Sequence, residues 1–312
     1  MESRQGNHRE AKQNDIGPGI RPEFQRCSLC TGKCVSKGSY EVLGSHEARF
    51  FQCETCSYAF SKDPDWLGEA YSSPMTRVDV GKAFRGIKNS REAKILIDLL
   101  HGPAGPYLDF GGGYGLLVRR MRDLGYNFFR YDSYSPNLFA EGFDRDFPGA
   151  EHYKMVTAFE VLEHLVNAGP IIEQILARSD SFLFSTELIP EPMPAFRDWW
   201  YFGPEHGQHV SFYSLRSLQI LAQRHGKRLV TNRRDLHLIT KKRIPERLFR
   251  FVTMPFVAAV AEVFFPRRSL LPPDFEKQRR FTLTNCVLTK DDSFVNAKTR
   301  KEQSSEGGDT TK

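Results

Sequence analysis

At 312 residues, with 40% apolar and 26% charged side chains, the chain is long enough for one large core plus a small accessory unit, and its ordinary composition points to a packed globular protein. Six cysteines are too few for a disulfide scaffold of this size, and residues 1–23 are polar and charged with no signal-like apolar run, so a reducing cytoplasm is the expected compartment. The net charge of +6 is local: residues 241–280 hold ten Lys/Arg against four Asp/Glu, which leaves the remainder neutral and argues against a surface built for nucleic acid.

In chain order, residues 1–23 mix charges with Gly and Pro and read as a disordered leader. A zinc ribbon is expected over 24–62. Cys27-Ser-Leu-Cys30 and Cys53-Glu-Thr-Cys56 are two C-x-x-C knuckles 22 residues apart, the spacing that brings four thiolates to one tetrahedral Zn²⁺. Alternating segments around Tyr40–Val42 and Arg49–Gln52 would be its strands, and Cys34 reads as an incidental thiol rather than a competing ligand. So small a ribbon lacks a core, so the metal would hold it folded. Residues 63–89 read as a linker with a short helix at Trp66–Tyr71. A helix follows at Ser90–His101, burying Ile95, Leu96, Leu99 and Leu100 and ending at Gly102-Pro103.

The chain is organised around Pro106-Tyr-Leu-Asp-Phe-Gly-Gly-Gly-Tyr-Gly-Leu-Leu-Val118. An apolar run ends in Asp109, Gly111, Gly113 and Gly115 follow at every second position, and Leu117, Met121 and Leu124 then fall on one helical face with Arg119, Arg120, Arg122 and Asp123 largely off it. This is a strand, a tight glycine turn and a helix, with the turn at the carboxyl end of the strand, where open α/β sheets bind ligands. The dinucleotide fingerprint fails, because it would need Gly or Ala where Leu116 stands. Asn127–Asp132 is a second strand closing on an acid 17 residues after Gly115, able to accept ribose hydroxyls or to open a turn before Ser133 and Pro136. No third strand can be placed in 133–152, where Asp144 and Asp146 are candidates for an adenine amine. Lys154–Leu165, Ser181–Thr186, Arg228–Thr231, Leu236–Thr240 and Phe281–Thr289 supply further strands. Ser214 caps a helix that Gly226 stops. Residues 291–312 read as a disordered tail.

The motif D-x-G-x-G-x-G, followed by Glu160-Val-Leu-Glu163-His164, resembles class I S-adenosylmethionine (SAM) methyltransferases. With the zinc knuckles, Trp199-Trp200-Tyr201 and Gly207-Gln-His-Val-Ser-Phe-Tyr-Ser214, the order of motifs over 24–290 is similar to bacterial sugar and small-molecule methyltransferases with an N-terminal zinc-binding segment. The resemblance implies a doubly wound, Rossmann-like α/β sheet over 90–290. It implies SAM held by Asp109, Gly111, Gly113, Gly115, Asp132 and Glu160, structural zinc on Cys27, Cys30, Cys53 and Cys56, and a small-molecule or glycan acceptor. His209, Glu160, Glu163, His164 and His206 are the catalytic candidates, with Glu205 beside them. The sugar C-methyltransferases carry a Glu where Gln208 stands, and this departure sets C-methylation in question.

The set Glu160, Glu163, His164 and His209 also resembles that of metal-dependent O-methyltransferases. The plainer reading, taken here, is that Glu163 and His164 cap the turn and line the pocket without metal. Trp199, Trp200 and Tyr201 are either an aromatic acceptor wall or core packing. A helical insertion at about 244–268 has Glu262 as the one charge in the sixteen residues Phe251–Pro266 and basic residues around it. It is too short to span a bilayer and suits weak peripheral contact with the inner face of a membrane, or packing over the active site or a dimer contact. The alternatives are an RNA or protein methyltransferase gripping its substrate with the ribbon, and a non-catalytic SAM and zinc binding module. The intact Asp109, glycine turn and Asp132 speak against the second.

Overall fold

The computed structural model describes residues 25–72 and 80–284, so the expected leader, residues 73–79 of the linker and the expected tail lie outside the described residues. The N-terminal segment forms β1 (Gln25–Arg26), β2 (Lys33–Val42), β3 (His46–Cys53) and β4 (Ala59–Ser61), all antiparallel, and the short helix α1 (Leu67–Ala70) follows. Helix α2 (Lys82–Leu100) begins inside the stretch expected to be linker. Its early turns carry no apolar stripe to betray them. They are held instead by an Arg85–Glu160 ion pair, and by Gly86, where a Cβ would already touch Leu116 at 3.7 Å. The buried face is also turned from the expected one: Ala93, Leu96 and Ile97 face the core and Leu99 is exposed.

Next come β5 (Tyr107–Phe110), α3 (Leu116–Asp123), β6 (Phe128–Tyr131), β7 (Tyr153–Ala158), α4 (Ala168–Ala177) and β8 (Ser179–Ser185). The two-residue strand β9 (Ser211–Phe212) leads into α5 (Leu215–Arg224), whose N-terminus has a capping box between Ser214 and Ser217. The strands β10 (Arg228–Thr231) and β11 (Leu236–Thr240) stand where expected, followed by α6 (Glu246–Val252), α7 (Pro255–Phe264) and a helix α8 over 271–284.

The main sheet has the order β10-β11-β8-β7-β5-β6, with β6, β5, β7 and β8 parallel and the β11–β10 hairpin antiparallel at the far side. The expected α/β, doubly wound class holds. From β5 the chain goes outward to β6 and then returns to place β7 on the other side of β5. The crevice between the carboxyl ends of β5 and β7 is therefore the topological switch point, where such sheets bind ligands. The third strand that could not be placed is reduced to one parallel bridge between Arg130 and Asp144, leaving β6 at the edge.

Two expectations fail at α3 and α8, for one reason. Arg122, expected off the buried face, is buried and donates to both carboxylate oxygens of Asp274 at 2.6 and 2.7 Å. That pair anchors α8, so residues 281–284 are helical although Phe281–Thr289 reads as a strand; 285–289 lie outside the described residues. A tertiary anchor has overridden local propensity.

The cysteine segment is not a detached ribbon. Strand β4 pairs with β9 to make a five-stranded sheet β1-β2-β3-β4-β9. Tyr58 shares a 2.7 Å hydrogen bond with Ser211, and Ser214 Oγ donates to Cys56 O at 2.5 Å. Gly169 in α4 lets the first knuckle in, since a Cβ there would lie 2.3 Å from Ser28 O.

Candidate functional site: the crevice at the switch point

Asp109 is the penultimate residue of β5 and is buried. It accepts a 2.7 Å hydrogen bond from Thr157 on the neighbouring β7, and burial pushes its carboxyl up to about 7, the nearby Asp132 adding to the rise. The glycine turn follows, with Gly111, Gly113 and Gly115 all at positive φ. A Cβ on Gly111 would lie 2.6 Å from Val161, and one on Gly115 would lie 2.6 Å from Asn137 Oδ1. At Gly113 the nearest atom would be Lys82 Nζ at 3.9 Å, so this backbone faces open space and can meet a ligand closely.

Asp132 sits one strand over, at the end of β6. Its Oδ1 accepts from the Tyr134 and Ser135 amides at 2.8 and 2.7 Å, and its Oδ2 accepts from Gly113 N at 2.8 Å. The turn-forming role weighed above is thus present, and the same carboxylate ties the turn to the glycine loop. The buried Arg130 completes the knot by donating to Gly113 O at 2.6 Å, to Asp144 at 2.7 Å and to Ser135 O. Asp144 is therefore a structural partner of Arg130, and Asp146 is exposed. Nothing in the spacing marked Arg130, because its role is set by a loop folding back over β6.

Across the crevice, Glu160 follows β7 at φ 56°. Its amide donates to Ser185 Oγ at 2.7 Å, and its carboxylate accepts from the same hydroxyl and pairs with Arg85 at 3.5 Å. Glu163 is fully buried, and neither carboxylate oxygen has a hydrogen-bond partner among the described residues. It caps nothing, which removes the capping role expected for it. Burial and then the charge on Glu160 raise its carboxyl to about 8. The Tyr201 hydroxyl lies near enough to favour the ionised form but forms no hydrogen bond of ordinary geometry with it.

His164 and His209 stand beside Glu163, with one ligand atom from each of the three within 4.8 Å of the others. His209 Nδ1 lies 2.5 Å from the Tyr201 carbonyl, and His164 Nδ1 lies 3.2 Å from the Gln208 carbonyl and 2.9 Å from the Tyr71 hydroxyl. A carbonyl can only accept, so His209 carries its proton at Nδ1 and its lone pair at Nε2, whereas at His164 the Tyr71 hydroxyl can donate to Nδ1 and either tautomer satisfies the contacts. Burial, then the neighbouring His164, hold His209 well below the usual imidazole range, so it is neutral at pH 7. His206 packs on His209 at 4.7 Å but receives the Gln208 amide at Nδ1, the opposite tautomer. Gln208 turns away and donates to Ala70 O at 2.8 Å, tying down α1.

Tyr71, which sequence reasoning passed over, joins the two halves. It stacks on Tyr134 of the Asp132 turn at 5.4 Å and bonds His164, whose ring is 5.0 Å from that of His209. Rings thus run without a break from the glycine-loop side to His209 and on to Tyr201 at 4.6 Å. Trp199 packs in the core with Phe212, Tyr201 is buried with one face on His209, and Trp200 is 75% exposed, so the three aromatics divide between the two roles weighed above.

Residues 87–232, which contain the whole crevice except α1 and the start of α2, match a family model described as a methyltransferase domain. Over that stretch, 146 of 312 residues, the chain is similar to a methyltransferase domain. Among solved structures it is similar to the magnesium protoporphyrin IX methyltransferase of Synechocystis PCC 6803 with bound SAH. That match has 15% identity, covers 56% of this chain and 91% of that one, and has a TM-score of 0.38. It is also similar to the 1,6-didemethyltoxoflavin-N1-methyltransferase of Burkholderia thailandensis, at 14% identity over 58% of this chain and 93% of that one, TM-score 0.39. A third is the mitomycin 7-O-methyltransferase MmcR, at 15% identity over 56% and 59%, TM-score 0.39. Likeness of this degree leaves the acceptor open. Among curated proteins none matches significantly.

The four knuckle thiols are a second centre. Their sulfurs lie within 4.8 Å of one another, with Cys27–Cys56 at 3.6 Å and Cys30–Cys53 at 3.4 Å. Ligands on tetrahedral zinc at about 2.3 Å would be about 3.8 Å apart, so the donor set fits Zn²⁺. Cys34 is buried close by, with its Sγ toward Gly32 O at 3.9 Å.

Asp109 yields a pH prediction for the main sheet. Its folded-state value of about 7 lies above the ordinary 3.8, so between those values the folded form binds the proton more tightly and stability falls as pH rises. Asp109→Asn removes that penalty. The ligand-free variant should melt roughly 5 °C above the parent at pH 8, with the gap closing toward pH 4 in calorimetric scans. A pH-independent gap would show that Asp109 is ionised throughout.

Proposed function

We propose that the protein is a SAM-dependent methyltransferase acting on a small molecule or glycan, with His209 as the general base. The observation that carries this is a neutral, half-buried imidazole whose Nδ1 is pinned by a carbonyl, in a ring series that begins beside the glycine cradle. Gly111, Gly113 and Gly115 would admit the cofactor's amino-acid end, Asp109 would hold its ammonium side, and Asp132 would reach its sugar. Bound there, SAM supplies a methyl group already activated by the sulfonium. The chain's own work is then alignment, exclusion of water and removal of a proton from the acceptor. Tyr71, Tyr134 and the exposed Trp200 offer flat apolar faces to a ring-shaped acceptor, and Glu160 with Arg85 offers polar contacts at the rim.

One observation favours a second reading. Glu163 is buried with both oxygens unpaired beside His164 and His209, and a divalent cation would satisfy them. His209 would present Nε2 while its Nδ1–H is held by a backbone carbonyl, the outer-shell arrangement usual for metal-bound histidine. Such a cation would lower the pKa of an acceptor hydroxyl and select O-methylation. The cysteine sulfurs are proposed to hold structural zinc. Because β4 of that segment is paired to β9, we read the cysteine unit as scaffold rather than substrate grip.

Incubating the protein with methyl-labelled SAM and metabolite, glycan or RNA fractions, with and without a chelator that leaves the ribbon zinc in place, tests these readings. Label is expected in a metabolite or glycan. Label only in RNA or protein would displace the reading, and turnover untouched by chelation would remove the cation.

A further inference from the structure

The C-terminal helices carry an apolar face that the proposed chemistry does not use. Twelve of the twenty-two exposed large hydrophobic side chains among the described residues fall in 248–283. On α7, Phe256, Val260, Val263 and Phe264 follow helical spacing along one side, and Phe256 and Phe264 are 78% and 73% exposed. The sole charge of that helix points the other way: Glu262 turns inward to Arg91 at 3.4 Å and to Arg120 at 2.5 Å. The outer face is left wholly apolar, an arrangement that a solvated helix has no reason to keep.

Exposed cations surround it. Arg243 and Arg247 precede α7 and Arg268 follows it, and none makes an ion pair among the described residues. An apolar helical face rimmed by unpaired arginines is complementary to an anionic lipid surface, whose acyl boundary takes the phenylalanines while its phosphates take the guanidiniums. No described helix is long and apolar enough to cross a membrane, so contact would lie in the interface plane. The chain's own remainder is a poor occupant, because residues 285–312 hold only four large apolar side chains, Val287, Leu288, Phe294 and Val295. The face also has a direction. Glu262 pairs with Arg91 and Arg267 with Asp98, so α7 runs alongside α2 in the same sense. Its first turn therefore lies toward the end of α2 that bears Lys82 and Arg85, at the rim of the crevice.

We infer that the α6–α7 face is a peripheral docking surface for anionic membranes, seated by Phe256 and Phe264 and oriented by Arg243, Arg247 and Arg268. The full chain should float with vesicles of phosphatidylcholine and phosphatidylglycerol at low salt, and not with phosphatidylcholine alone. Phe256→Gln with Phe264→Gln should cut the partition at least roughly tenfold, and Arg247→Gln or Arg268→Gln roughly fivefold each. All four side chains are exposed, and unchanged melting of the variants would separate lost docking from lost folding. Absence of flotation with anionic vesicles overturns the inference. So does a dimer, seen by sedimentation, that the phenylalanine substitutions dissolve in a protein that ignores vesicles, since the face would then belong to a second copy.

Discussion

His209→Ala should lower kcat by about 100- to 10,000-fold while leaving SAM affinity within about a factor of two. The size follows from the role: a base already neutral at pH 7, presenting its lone pair at Nε2, takes the acceptor proton as the methyl arrives. The selectivity follows from place, since His209 touches Tyr201, His164 and His206 rather than the glycine turn. His206→Ala provides the contrast. Its ring carries the other tautomer and only packs on His209, so a loss of about tenfold or less is expected. Equal losses at both positions would mean that the two rings act as packing and that the base lies elsewhere.

Removing the zinc proposed to sit on the four thiols should have the largest effect on stability and should reach the proposed active site. Structural zinc in small domains contributes about 10 kcal/mol or more of apparent binding energy. Cys56→Ser, or stripping with a strong chelator, should therefore lower Tm by roughly 10 °C or more. The route to the crevice is short. Strand β4 hands Ser61 N to Val210 O at 2.8 Å, and Val210 N in turn donates to Glu163 O at 2.8 Å, so the residue after His209 is clamped between the cysteine sheet and the Glu163 turn. Loss of zinc should thus depress kcat along with stability, even at temperatures where the main sheet stays folded. Retained activity with a melted N-terminal signal would show the cysteine unit to be a separate module.

Much of this was legible before the fold was known. The glycine turn, the two acids at strand ends, β7, β8, β10, β11 and the capped α5 each announce themselves through local signals: φ-permissive residues, apolar runs and a Ser cap. The thiol cluster was legible for the same reason, since knuckle spacing is a local constraint. What escaped depends on partners far along the chain. Arg122 is buried because Asp274, 152 residues on, neutralises it. Arg130 is buried because the 132–144 loop returns over it. Tyr71 belongs to the site because α1 is tied down by Gln208, which sequence reasoning saw only as a departure from a sugar methyltransferase motif. The orphaned carboxylate of Glu163 could not be read at all, because the lack of a partner is a property of the packed crevice.

Titrating the full chain with SAM in a calorimeter tests the central claim most directly. Saturable binding at one site is expected, weakened at least about tenfold by Gly111→Val, whose side chain would enter the space held by Val161, and left intact by His209→Ala. Heats no larger than dilution, or binding indifferent to Gly111→Val, would contradict the assignment of this crevice to the methyl donor.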